Sequence, residues 1–416
     1  RLAWTADGEG LALLKGSPVE RMRERANVIL AFANVRGALQ NSAVTPVSLD
    51  PTKAANWEPG WVVSERAALA WSDDKQRIFF GAKPQVIAPD TARRRSTDSL
   101  PDVDVWRTED TRIQSAQMIR ADQERNFTFR QAYDLGSGKF VRMADTTLRE
   151  VDVAPGGKWA VGRDARAYVS DYKPAAADFY RVNTSTGERT PMLKDLVTSA
   201  GGVAGISPNG ARFFYWKDNK YQAFDLDGAT SRTLGGATAP SFTDTEYDHP
   251  GPRPPFGLVA YTPDGKGVVV EHRFDLWLLP LDGTSPAQNI TQGLGTKSEM
   301  HFAWVRTEPV DPTDPLAERK VREMDLSRPV TFATYGEYNK KAGFSRLEGG
   351  KIAEIVYDDA AYSNPVRAAK SDAFLFTRQT LTEFPDLRVS DANFATAKKI
   401  TEANPQQAEY KWAGRR

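Results

Sequence analysis

The sequence predicts an all-β protein built as a β-propeller, most simply seven blades of four antiparallel strands, with loop insertions and little helix. Three observations predict it: a turn signature that recurs along the chain, a strand–turn–strand pair that follows it, and a near absence of helical periodicity. The signature is TADG before EGLALL, SDDK before QRIFF, APGG before KWAVG, SPNG before ARFFYW and TPDG before KGVVV. Its third residues are Asp7, Asp74, Gly156, Asn209 and Asp264, at intervals of 67, 82, 53 and 55. Self-similarity at about 50 residues, stretched by insertions, is the mark of a propeller.

The residue types explain the unit. Proline presets φ at the first corner of a turn, Asp or Asn bonds back to the local backbone, and glycine takes the positive φ that other residues resist. Hairpins follow in NFTFRQAYDLGSGKFVRM, DFYRVNTSTGERTPML, KYQAFDLDGATSRTL, DLWLLPLDGTSPAQNIT, GFSRLEGGKIAEIV and DLRVSDANFATAKKIT, each with a Gly-bearing or Asp/Asn turn between β-prone runs. About four short strands per unit make one blade, and stacked blades bury one another's faces. The units fall at about 2–60, 62–146, 147–200, 201–241, 256–293, 299–349 and 350–402, within a single propeller domain spanning 1–416. The best helix candidate is SPVERMRERANVIL, residues 17–30, with Ser17 as cap and Pro18 in the first turn. Insertions are expected at 89–118, 242–257 and 306–329, and long loops on a rigid scaffold are where binding surfaces usually lie.

Composition narrows the function. With 55 Lys and Arg against 54 Asp and Glu, the net charge of +1 gives no global field to draw nucleic acid. The one basic run, Arg93 to Arg95, sits in a polar stretch that reads as an exposed loop. No cysteine is present, which removes disulfides, thiolate catalysis and Cys-based metal sites together. No stretch is long and apolar enough for a membrane-spanning helix. The chain opens at Arg1 with no signal-peptide pattern, as if inside a longer polypeptide.

Chemical motifs are sparse. There is no G-x-S-x-G elbow, no H-E-x-x-H, no P-loop and no dinucleotide fingerprint. The three histidines, His249, His272 and His301, are too few to support a catalytic triad or a multi-histidine metal centre, and the last two read as strand residues with structural partners. N-x-[ST] sequons at Asn126, Asn183 and Asn289 fall in strand or hairpin sequence and read as chance. The stretch DTEYDHPGPRPPFG, residues 244–257, holds Asp244, Glu246, Asp248 and His249 among four prolines that break strand pairing. Oxygen ligation of a calcium-like ion there lacks the glycine-bearing loop such sites use. No metal and no cofactor are therefore expected. Glu246, Asp248, His249 and Arg253 are the candidates for a polar edge facing substrate or a neighbouring domain; stabilisation of their own loop is the alternative.

SPNGARFFYWKDNKYQAFDLDGATSRTL resembles the TolB and dipeptidyl-peptidase type of repeat. DVDVWRTEDTRIQSAQ, SDYKPAAADFYRVNTSTGER, residues 244–283, and TEFPDLRVSDANFATAKKITEANPQQAEYKW are similar to the propeller half of bacterial serine peptidases of the prolyl oligopeptidase family. The resemblance implies a non-catalytic propeller that gates entry and positions peptides for an α/β-hydrolase domain, expected beyond residue 416, that carries the Ser-Asp-His triad. It implies a peptide substrate and that hydrolase domain as partners, and a periplasmic or secreted location. None of the family's catalytic residues maps onto this chain. Acidic propeller residues hold the substrate amine in dipeptidyl-peptidase relatives, but their paired-glutamate motif is not recognisable here. A free-standing TolB-like propeller that binds a protein or peptide is the alternative; a metal-dependent lactonase-type propeller would need more histidines.

Overall fold

The computed structural model describes residues 1–40, 45–88, 103–171, 173–198, 204–307, 323–394 and 396–411. The expected basic run at Arg93 to Arg95 and much of the 89–118 and 306–329 insertions lie outside them. Among the described residues, seven antiparallel sheets follow one another along the chain, six of four strands and one, the second, of five. In the six, strand order in the sheet is strand order in the sequence, so each is a meander joined by tight connections. This is the all-β blade pattern of a propeller.

By its contacts the chain divides into two compact units, one of Arg1–Gly202 with Asn209–Phe213 and Phe224–Thr230, the other of Val203–Pro208, Phe214–Ala223 and Ser231–Arg416. The division runs through the strands of the fourth sheet.

Within each unit the sheets pack face to face, and strand periodicity decides which core a residue joins. In Arg77–Pro84, Ile78, Phe80 and Ala82 point into one core with Ile29, Ala31 and Val63 of the flanking strands. Phe79, between them, enters a second core with Ala132, Val151, Ala160 and Val182. In the other unit, Val268 and Val270 of Gly267–His272 join Phe214, Tyr221 and Leu279, while Val269 joins Met300, Phe302 and Phe332. Successive side chains leave a strand on opposite faces. A strand covered on both faces must therefore be apolar at every position, which accounts for runs such as RIFF, GVVV and RFFYW.

The turn signature works through its first residue. Thr262 Oγ1 donates to Asp264 Oδ1 at 2.6 Å and accepts from the Gly267 amide at 2.9 Å, while Asp264 also takes the Lys266 amide at 3.0 Å. Thr5 and Asp7 repeat this with Gly10, and Ser72 and Asp74 with Arg77. Asp74 and Asp264 are held below the usual carboxylate range by these bonds; burial opposes the shift and, for Asp74, is the largest single influence on it. A second device closes the outer strands. Asp275 Oδ1 accepts from Thr291 Oγ1 at 2.7 Å, which in turn accepts from the Leu276 amide at 3.0 Å. Asp386, Thr401 and Leu387 repeat the arrangement two sheets later, at 2.8 and 2.9 Å. Both segments open with D-L and end with I-T, 16 residues from Asp to Thr in the first and 15 in the second.

Two expectations need correction. Residues 17–30 are not helical: Leu11–Ser17 pairs antiparallel with Ala26–Phe32, and residues 18–25 are the connection. The Glu and Arg residues that suggested a helix serve the connection instead. Glu24, 2% exposed, pairs with the buried Lys83 ammonium at 3.0 Å, and Gln85 bonds both the amide and the carbonyl of Glu24. The sixth sheet also runs on to Asp358 through Lys351–Asp358, past the expected boundary at 349. Among the described residues the longest helix is Gln114–Asn126, with no buried residue; Lys83 Nζ also donates to the Arg125 carbonyl at its C-terminal end, where a cation is favoured.

Thr262→Ala removes both hydroxyl bonds of a part-buried turn and is expected to cost about 1 kcal/mol in urea unfolding, with Thr262→Ser close to neutral. A Thr262→Ala midpoint equal to the parent's would show that the hydroxyl does not hold the turn.

Candidate functional site

The 242–257 loop is a closed structure with a paired neck. Thr243 bridges Pro255, the Asp244 amide donates to the Pro254 carbonyl at 2.8 Å, and Phe256 donates to Phe242 at 3.1 Å. The structure separates the four candidates of this loop. Glu246 Oε1 meets Arg273 Nη2 at 2.5 Å. Asp248 and His249 have side chains 91% and 73% exposed, with 3.7 Å between carboxylate and ring nitrogen. The His249 ring lies 5.1 Å from Tyr247, and Arg253 is exposed. Asp244 caps its own loop by taking the Glu246 amide at 2.9 Å. Glu246 alone among the four forms an ion pair outside the loop, and its partner Arg273 packs over Phe274, which lies against His301 in the wall of a cavity.

That cavity, of about 850 Å³, belongs to the unit that contains the loop. Its walls come from the strands Gly267–His272, Met300–Val305, Val330–Gly336 and Ala361–Arg367 and the turns beside them. Glu271 is the next-to-last residue of the first of these, directly opposite Gly257 in the strand register. A Cβ on Gly257 would lie 2.9 Å from Glu271 Oε2, so only glycine leaves the carboxylate where it is. Glu271 opens to the cavity, yet its carboxylate has no hydrogen bond or ion pair among the described residues, and the protein packed about it pushes its pKa up. Desolvation is the cause, with His301 working in the opposite direction.

His301 is the second titratable group of the wall. Its Nε2 lies 2.6 Å from Glu337 Oε2, and its ring is 5.0 Å from Phe274. The contact with His301 holds the Glu337 carboxyl below the usual range, helped by the charges of Arg273 and Lys340. Arg273, which holds Glu246, stacks its guanidinium over Phe274 at 4.7 Å. Thus one chain of contacts runs from the 242–257 loop through Arg273 and Phe274 to the cavity wall. Thr334, 2% exposed, also lines the cavity, and its hydroxyl has no partner among the described residues.

His272 does not face this site in the same way; it packs among Phe242, Phe256 and Trp277, and burial pulls its pKa down. Among the described residues there is no group of three or more His, Asp or Glu able to hold a metal ion. The site can bind and orient, through a partly desolvated carboxylate and a carboxylate-linked imidazole. Sequence reading named Glu246 and placed His301 as a hydrogen-bonded strand residue, but it missed Glu271 and Thr334. The one signal for Glu271 was a charge closing the fully apolar run GVVV.

No family model matches the chain, and no curated protein matches it. Among solved structures it is similar to a dipeptidyl peptidase 4 of Porphyromonas gingivalis, at 9% identity and TM-score 0.41, over 98% of this chain and 53% of that one. It is similar also to the β-propeller domain of the Trilobed protease from Pyrococcus furiosus, at 10% identity and TM-score 0.29, over 95% and 96%. A third is an acylaminoacyl peptidase of Pyrococcus horikoshii, at 10% identity and TM-score 0.31, over 96% and 52%. The chain thus spans about half the length of the first and third.

Because its pKa is raised on folding, Glu271 favours the folded state below its unfolded pKa and loses that contribution as pH rises through the folded value. Glu271→Gln is expected to be less affected by the rise, so its stability relative to the parent increases from about pH 4 to about pH 8. Parallel urea titrations at the two pH values check the sign; a constant difference would mean that the carboxylate is not desolvated.

Proposed function

We propose that this chain is the non-catalytic propeller part of a serine peptidase of the prolyl oligopeptidase family, which admits and positions peptides for an α/β-hydrolase domain. The observation that carries the reading is the cavity of about 850 Å³ with Glu271 and His301 in its wall. A cavity of this size suits a short peptide segment. The polar groups are arranged to hold a ligand: a carboxylate left unpaired in partly desolvated surroundings has a free-energy gain reserved for a partner. The resemblance of residues 244–283 and 382–412 to that family supports the same reading, as does the lack of a nucleophile elbow in the sequence. A location in the periplasm or outside the cell belongs to this proposal.

In this reading Glu246 and the 242–257 loop act by position. Arg273 draws the loop toward the cavity side on which His301 sits, and the proline-rich path keeps it extended. The loop then narrows what can reach the site without touching the reacting bond.

Two measurements test the proposal. The purified chain is expected to bind short peptides but to hydrolyse neither peptide nor ester substrates; hydrolysis blocked by a serine-directed inhibitor would overturn it. In the chain joined to its hydrolase domain, Glu246→Ala with Asp248→Ala is expected to raise KM several-fold with kcat nearly unchanged. An unaltered KM would assign those residues to loop stability alone.

A further inference from the structure

The cavity has a chemical bias that the proposed gating role does not by itself require. Of the basic residues near it, Lys340 and His301 line the wall. Arg273 pairs with Glu246, and Lys340 lies over the Tyr335 ring at 5.5 Å, with its charge acting on Glu337. Of the charges nearby, only that of His301 bears on Glu271, and the His301 ring is bonded to Glu337. Two carboxylates line the wall: Asp359 has an interaction partner of its own, and Glu271 has none among the described residues.

The rest of the lining is unusual for a site that would bind a small hydrated ion. Ala303, Ala333, Ala342, Ala360 and Ala361 form apolar wall with little side-chain bulk. Tyr335 and Tyr362 supply ring faces, and Thr334 supplies the buried hydroxyl without a partner. Lysine and arginine side chains have this same division, a methylene stem that prefers apolar surface and a charged head that needs a carboxylate, a ring face or an oxygen acceptor. A bare ammonium at a chain terminus has no such stem, and the alanine wall would add nothing to its binding.

We infer that this cavity receives a lysine or arginine side chain of a bound peptide, with its stem along the alanine wall and its cationic head at Glu271. The inference rests on the peptide-positioning function proposed above and adds the class of peptide. Binding the cation supplies Glu271 with the charge partner that the described residues do not give it. Gly257 is part of the device, since any side chain there would push the carboxylate from its place.

The test is direct binding to the purified chain, by calorimetry, of hexapeptides blocked at both ends that differ only at one central residue: arginine, lysine, citrulline or norleucine. Arginine and lysine peptides are expected to bind about tenfold tighter than the two neutral ones, the scale of one charge-assisted contact. Glu271→Gln should remove that preference, and Gly257→Ala should weaken it while leaving the carboxylate in the chain; circular dichroism melts confirm that both variants fold. Equal binding of all four peptides would overturn the inference and leave the peptide-positioning function standing. So would a cation preference that survives Glu271→Gln. An unblocked norleucine peptide that binds as tightly as the blocked arginine peptide would assign the site to the amino terminus and overturn it as well. Failure of every peptide to bind would overturn both readings.

Discussion

The structure depends on one packing constraint: its central strands have no solvent face. In an ordinary two-layer sheet, half of the residues along a strand can be polar. Here Phe79 and Phe80 are neighbours in sequence, are 1% and 0% exposed, and belong to different cores. Val268, Val269 and Val270 do the same in the other unit. A register slip of one residue would exchange the two sets between cores of different shape, so the error cannot be absorbed by turning a face to water. The need for exact register falls on the turns, which is why their hydroxyl and carboxylate pairs are repeated so closely at Thr5, Ser72 and Thr262.

Much of this was legible in the amino-acid sequence because it is local. A T-x-D-G turn and the hairpin after it are set by residues within about ten positions of one another, and DLWLLPLDGTSPAQNIT and DLRVSDANFATAKKIT fold into the strand pairs their patterns suggest. Where non-local contacts decide, the reading failed. Glu24 and its neighbours look like a helix start until Lys83, 59 positions away, takes the carboxylate. Gln114–Asn126 shows the reverse case. It has no apolar stripe, buries nothing, and Ile113 supplies no side-chain cap, so the usual signals of a helix are missing.

The candidate site was half legible for the same reason. Glu246 stood out as part of an acidic, proline-broken segment, and the histidines could be counted. What distinguishes Glu271 from any other glutamate is its environment: the close Gly257 backbone, the His301 ring from another sheet and the want of a cation. None of these is a property of VVVEHRF as a string. The loop is tied down by backbone bonds at its neck, while Glu271 stands in a strand paired on both sides.

The close approach of Gly257 to Glu271 links the histories of two positions. While a glutamate stands at 271 with its carboxylate lying over the facing strand, a side chain at 257 displaces that carboxylate. A lineage that exchanges the glutamate for a shorter residue frees 257 to vary. Substitutions there should therefore arise in order, the acid first and the glycine after it, and a descendant with a side chain at 257 would be one in which selection on the carboxylate had already lapsed.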